Sequence, residues 1–267
     1  MNLIKNCRYG MMIYNNSDVW VGRSIEKFGE FSESEVQVFR DAIKEGDVVL
    51  DVGANIGCHT VAFSRLVGNA GLVYAFEPER LNFNTMCGNI AINNIMNVFP
   101  YQKAVGSNSG FILVPELDQN LTVNFGGLTL IGDYSKCPNY KVEIIKIDDM
   151  SFSKLNFIKM DIEGMERFAI EGAKNTINQF KPILYVEDDR EENHAELIGL
   201  LKSINYKCYK HLAPMFNPEN YYKNKENVFL VSNDQGGLNQ IVSGNLFCHH
   251  KDVECPIDTN KFSMIEI

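Results

Sequence analysis

The run Val48-Val-Leu-Asp51, followed by Gly53 and Gly57, constrains the fold of this chain more than any other stretch. A short apolar strand ends in an acid, a glycine-bearing loop follows, and helical periodicity continues from about Cys58 to Val67. The theme repeats in Leu72-Val-Tyr-Ala-Phe-Glu77, a second apolar strand ending in an acid, where Pro78 stops the ladder. A helix over Arg80–Asn93 and a third strand over Val98–Val105 continue the rhythm. Strands alternating with helices predict an α/β fold, a mostly parallel, doubly wound sheet with helices on both faces.

In such a sheet the C-terminal strand edge is where ligands bind. Glycines there let the backbone turn sharply and approach a ligand closely, and an acid on the second strand accepts hydrogen bonds from ribose hydroxyls. Asp51, Gly53, Asn55, Gly57, Thr60 and Glu77 are therefore the candidate cofactor-binding residues. A dinucleotide loop wants Gly-x-Gly-x-x-Gly to cradle a pyrophosphate. Here Asn55 and Cys58 stand where its second and third glycines belong. S-adenosylmethionine (SAM) has no pyrophosphate and needs fewer glycines, so the loop favours SAM over NAD. An NAD-dependent oxidoreductase and a non-catalytic SAM-binding domain are the alternatives.

Later segments extend the pattern. Leu155–Asp161 and Pro182–Glu187 read as strands, Gly164–Phe180 and about Glu192–Ile204 as helices, and Asn227–Ser232 as a final strand. Residues 106–148 read as a β-rich insertion, with strands at 111–114, 121–123, 128–131 and 140–145. Residues 1–45 form an N-terminal β/α extension. In it Tyr9–Tyr14 and Asp18–Val21 are β-like, and Ser32 with Glu35 forms a capping box opening a helix to Lys44. The division expected is 1–45, a SAM-binding domain over 46–235, and a C-terminal tail over 236–267 packed on or beside it.

Asp161 and Glu163 follow one strand, and Glu187 and Asp188 the next, so all four fall on the cofactor's edge. Methyl transfer needs an acceptor oxygen held in line and a group to take its proton. Asp161, Glu163 and Glu187 are the candidate catalytic residues. Asp161, Glu187 and Asp188 are the oxygen ligands expected if Mg²⁺ or another divalent cation lowers the hydroxyl's pKa. Glu166 reads as a helix-capping acid. His59, at the start of the loop helix, and His211, near Pro214 and Pro218, are candidate acceptor contacts, and His194 is expected to face solvent. Tyr14, Trp20 and the Tyr221-Tyr222 pair are weighed as an aromatic sugar platform against ordinary packing.

The segment Asp51-Val-Gly-Ala-Asn-Ile-Gly57 with Thr60, then Phe76-Glu-Pro78, Asn156-Phe-Ile-Lys-Met-Asp-Ile-Glu-Gly164 with Glu166, and Lys181–Glu187, resembles the FkbM family of methyltransferases. The likeness runs over about residues 30–190 and more weakly to about 232. It implies a Rossmann-like, class I, seven-stranded fold with a final antiparallel strand. It also implies SAM-dependent methylation of a hydroxyl on a small-molecule or carbohydrate acceptor.

The net charge of −9, without any basic run, argues against a nucleic-acid partner. Seven cysteines, an odd number without Cys-x-x-Cys, suggest reduced thiols and a cytoplasmic setting. No apolar stretch is long enough to span a bilayer. Cys248-His249-His250 with Cys255 matches no structural zinc spacing.

Overall fold

A computed structural model of the chain describes residues 1–118, 124, 126–127, 129, 132–232 and 237–267. The N-terminal extension is a hairpin of β1 (Asn2–Cys7) and β2 (Gly10–Asn15), then helices α1 (Val21–Phe28) and α2 (Glu33–Ala42). The expected strand at Asp18–Val21 is instead the entry to α1, because Asp18 Oδ1 accepts from the Trp20 and Gly22 amides and folds the chain into a turn. The capping box is also absent. Ser32 takes a left-handed conformation (φ 44°) without a side-chain cap, and Glu35 is buried rather than turned back on the helix end.

The parallel core follows: β3 (Val48–Val52), α3 (Cys58–Val67), β4 (Leu72–Phe76), α4 (Arg80–Ile92) and β5 (Val98–Tyr101). The third expected strand divides at Tyr101. Ala104–Val105, β6, leaves the main sheet and pairs with β8 (Asn139–Ile145), which also pairs with β7 (Gly110–Pro115) in a separate three-stranded sheet. The insertion is therefore β-built at 110–115 and 139–145. The strands expected at 121–123 and 128–131 lie outside the described residues, apart from Thr129.

β9 (Phe157–Met160) resumes the main sheet. The helix expected over 164–180 is two, α5 (Glu166–Glu171) and α6 (Lys174–Phe180). The break has local causes. A Cβ on Gly172 would lie 2.0 Å from the Gly106 carbonyl, and Asp148 caps the second helix through the Asn175 and Thr176 amides. Then come β10 (Ile183–Glu187), α7 (Glu191–Ser203), β11 (Tyr206–Pro214), a small hairpin of β12 (Leu230–Ser232) and β13 (Leu238–Gln240), β14 (Val242–His250) and β15 (Ile265–Glu266).

The main sheet has the order β15-β11-β14-β10-β9-β3-β4-β5, doubly wound about β3 and β9. Seven strands form its body, and the two-residue β15 adds a short edge. The final antiparallel strand is not residues 227–232. It is β14, which lies between β10 and β11 and pairs with both. Residues 242–250, expected in a tail packed on or beside the domain, are thus inside the sheet. Leu246, Phe247 and Cys248 are fully buried there.

Side chains alternate between two cores. Val49, Phe157, Tyr185 and Phe247 face α1 to α4, and Leu50, Ile158, Leu184 and Leu246 face α5 to α7. No helix among the described residues is long and apolar enough to cross a membrane.

Candidate active site

The C-terminal ends of β3, β4, β9 and β10 meet at one edge. Asp51 is fully buried at the end of β3. Its Oδ2 accepts from Thr60 Oγ1 at 2.6 Å, and its Oδ1 has no hydrogen-bond partner among the described residues. Burial raises its pKa despite the Lys159 ammonium 3.8 Å away. Gly53 follows with φ 82°, and a Cβ there would stand 1.8 Å from the Asp161 carbonyl, so only glycine fits. Gly57 also has a positive φ, with Met86 in the space a Cβ would need.

Glu77 is held by two amides, Asn55 N to Oε2 at 2.7 Å and Glu79 N to Oε1 at 2.9 Å. Burial outweighs those donors and pushes its pKa up to about 8. Asn55 itself is left-handed (φ 53°), a conformation that asparagine tolerates better than most residues.

Asp161, Glu163 and Glu187 can each place a carboxylate oxygen within 4.8 Å of the others. Two unit charges at that separation repel by about 3–4 kcal/mol at an effective dielectric near 20. Part of this is offset. Lys159 Nζ lies 3.1 Å from Asp161 Oδ2, and Arg190 donates to Glu163 Oε2 at 2.8 Å. Glu187 has no such partner among the described residues. Burial and then the neighbouring Asp161 and Glu163 drive its pKa well above the carboxylate range.

The three carboxylates line a cleft of about 390 Å³ together with Asn55, Glu35 and Asp189, and Trp20 and Phe31 line it as well. Glu166 organises the adjoining loop, accepting from the Ile162 and Gly164 amides, as a capping acid should.

Several expected residues lie elsewhere. Asp188 does not join the acid group, because its carboxylate is bound by Lys210 Nζ and His194 Nδ1, both at 2.7 Å. Glu163 takes its place. His194 is correspondingly tied down, although part of its side chain stays exposed. His211 is not in a loop. It sits buried on β11, its Nδ1 bonded to Tyr185 Oη at 2.8 Å, and burial lowers its pKa to about 4.

His59 is enclosed by Phe31, Phe39 and Phe63, and burial keeps it neutral. Of the aromatic platform only Trp20 reaches the cleft. Tyr14 is core, and Tyr221 and Tyr222 bond to Asn6. The Cys248–Cys255 cluster forms no ligand set. Among the described residues the acidic trio alone could hold a metal.

The sequence reading missed Lys159, Glu35, Asp189 and Arg190. Lys159 had a signal, as a cation inside the otherwise apolar strand Phe157-Ile-Lys-Met160 must find buried anions.

The chain has 42% identity over 55 residues to a probable cobalt-precorrin-6B C(15)-methyltransferase (decarboxylating) of Saccharolobus solfataricus, covering 21% of this chain and 28% of that protein. It thus spans under a third of that relative's length. Among solved structures, the methyltransferase FkbM of Methylobacillus flagellatus KT superposes with a TM-score of 0.48 at 21% identity, over 78% of this chain and 44% of that one. An rRNA methylase of Streptococcus thermophilus superposes with a TM-score of 0.46 at 11% identity, over 81% and 93% respectively. The model of the methyltransferase FkbM domain matches residues 51–208, more than half of the chain. With the glycine loop, the paired strand-end acids and the antiparallel β14 in place, the chain belongs to the FkbM methyltransferase family, on a class I, Rossmann-like fold.

Proposed function

We propose that this protein transfers a methyl group from SAM to a hydroxyl of a small-molecule or carbohydrate acceptor, and that nucleic acid is not its substrate. The observation that carries this reading is adjacency. Asn55, on the cofactor side, lines the same cleft as Asp161, Glu163 and Glu187. The residues present fit SAM. Asp51 offers a buried carboxylate oxygen with no hydrogen bond among the described residues, and Gly53 gives the loop the tight turn that brings it against the β9 exit. Asp51, through Thr60 and Lys159, and Glu77, through its paired amides, would hold the cofactor's polar groups beside Gly53, Asn55 and Gly57.

When bound, SAM supplies an electrophilic methyl group that needs no further activation. The chain's contribution is then to place the acceptor oxygen in line and to take its proton. An ionised carboxylate of Asp161, Glu163 or Glu187 accepts that proton as the new carbon–oxygen bond forms. The same trio, without Asp188, would supply the ligands if a divalent cation assists. Lys159 and Arg190 already bring positive charge to two of its members, so the reading does not require an ion. The acidic lining is unsuited to a phosphate backbone, which supports excluding nucleic acid.

Calorimetry with SAM and S-adenosylhomocysteine tests the cofactor, and absence of binding to both defeats the proposal. Glu77→Gln, which keeps the shape and replaces an acceptor oxygen by an amide donor, should weaken S-adenosylhomocysteine about 10-fold or more above pH 8, where the carboxylate is ionised, given about 1.5–3 kcal/mol for hydrogen bonds to a charged group. Mass spectrometry of metabolites and glycans incubated with SAM, with and without a chelator, tests acceptor and metal together.

A further inference from the structure

We propose that the acceptor carries a protonated amine near the hydroxyl to be methylated, so that the cleft selects an amino sugar or similar hydroxylated ammonium compound over neutral and anionic analogues. This rests on reading the cleft as the acceptor site.

Glu35, Asp161, Glu163, Glu187 and Asp189 all line the cleft, and Arg190 is the one cation lining it among the described residues. Lys159 stands behind, shared between Asp161 and the buried Asp51. The sulfonium of SAM offsets one further charge. Carboxylates remain in excess, in a space large enough for a small ligand.

A second observation points to a ligand. Glu187 lines the cleft half-buried, yet its carboxyl has neither hydrogen bond nor ion pair among the described residues. An arriving ammonium would supply the missing partner, since its N–H groups can donate to several carboxylates at once.

The cleft's aromatic side chains fit the same ligand. The Trp20 ring is held by stacking on Phe229 at 5.7 Å between centroids, and Phe31 also lines the cleft. Aromatic faces beside carboxylates are what an ammonium group favours.

The distribution of the acids favours an amine over a metal ion. Only Asp161, Glu163 and Glu187 converge within 4.8 Å, whereas Glu35 and Asp189 are spread along the cleft. Asp161 and Glu163 already bond to nitrogen cations, an arrangement that an ammonium can extend and that a compact oxygen shell would have to break.

The test is calorimetry on protein saturated with S-adenosylhomocysteine, titrated with glucosamine, glucose and glucuronate as size-matched probes. Glucosamine should bind at least tenfold more tightly than glucose, and glucuronate more weakly than either. Asp189→Asn should shrink the preference for glucosamine several-fold without changing the affinity for S-adenosylhomocysteine. Equal affinities, a preference for glucuronate, or no binding of glucosamine overturns the proposal. Saturable binding of magnesium chloride that displaces glucosamine assigns the carboxylates to a metal and also overturns it. Titration with S-adenosylhomocysteine alone comes first. Failure there defeats the methyltransferase reading, whereas normal binding there without amine preference defeats only this inference.

Discussion

Lys159 holds the floor of the site together. Its ammonium, on a side chain almost wholly buried, lies 3.1 Å from Asp161 and 3.8 Å from Asp51, and Glu35 adds to the field that raises its pKa. Removing one partner of a buried ion pair costs about 3–5 kcal/mol, because the remaining charge keeps its desolvation penalty. Lys159→Met should therefore lower the melting temperature by on the order of 10 °C, taking about 2–4 °C per kcal/mol for a chain of this size. Glu35→Gln on that background should recover part of the loss, since it removes one of the stranded acids. Differential scanning calorimetry of the single and double variants measures both steps. A Lys159→Met protein as stable as the parent would show that Asp51 and Asp161 do not depend on the ammonium. At this scale the sequence was informative wherever a residue type broke its local pattern. Asp51 and Glu77 end apolar strands, and each fell where expected. Asp188 did not, because Lys210 and His194, distant in sequence, reach it first.

The loop after β3 depends on one close approach. β3 and β9 run parallel and in contact, and their exits bring the Gly53 backbone against the Asp161 carbonyl. Gly46 makes a useful control. Its φ of 85° nearly equals the 82° of Gly53, but the nearest atom to a Cβ there is Ala70 Cβ at 4.0 Å. Gly46→Ala should cost only the left-handed penalty of about 1–2 kcal/mol. Gly53→Ala should cost that and in addition force the β9 exit to move, displacing Asp161. The expected outcome is a far larger fall in melting temperature and no measurable binding of S-adenosylhomocysteine, against near-normal binding by Gly46→Ala. Equal effects from both substitutions would reduce the role of Gly53 to backbone conformation alone. Elements with strong periodicity, such as β3, β4 and α7, could be read from the chain directly. Those set by distant partners could not. Glu35 was expected to cap α2 and is buried at the cleft instead, and the expected single helix over 164–180 is interrupted where Gly106 packs on Gly172.

The topology of the whole molecule explains which strand was misplaced. β14 is antiparallel and buried on both faces, so Leu246-Phe-Cys-His-His250 carries no alternation to mark it as a strand, whereas Asn227–Ser232 looks like one and lies at the periphery. The folded sheet then sets a global electrostatic balance. Glu35, with a pKa of about 7, Glu77, at about 8, and Glu187, raised well above the ordinary carboxylate value by burial, are all more easily protonated in the folded chain than in the unfolded one. Between the ordinary carboxylate pKa and these raised values the native state holds protons that the unfolded state has released. Stability therefore falls as pH rises, by up to about 1.4 kcal/mol per pH unit for each group still protonated. The buried His59 and His211 act in the opposite sense, but only below their unfolded value of 6.5, where the unfolded chain takes up protons that they refuse. The cysteines with raised pKa contribute only near and above pH 9. The clean interval is pH 6.5 to 8. There the free protein should lose several degrees of melting temperature, and Glu187→Gln, which fixes the uncharged form, should flatten the slope and be more stable than the parent at pH 8. A melting temperature constant or rising across that interval would mean that the cleft's carboxylates are already ionised in the free protein, with Lys159 and Arg190 sufficient to hold them so.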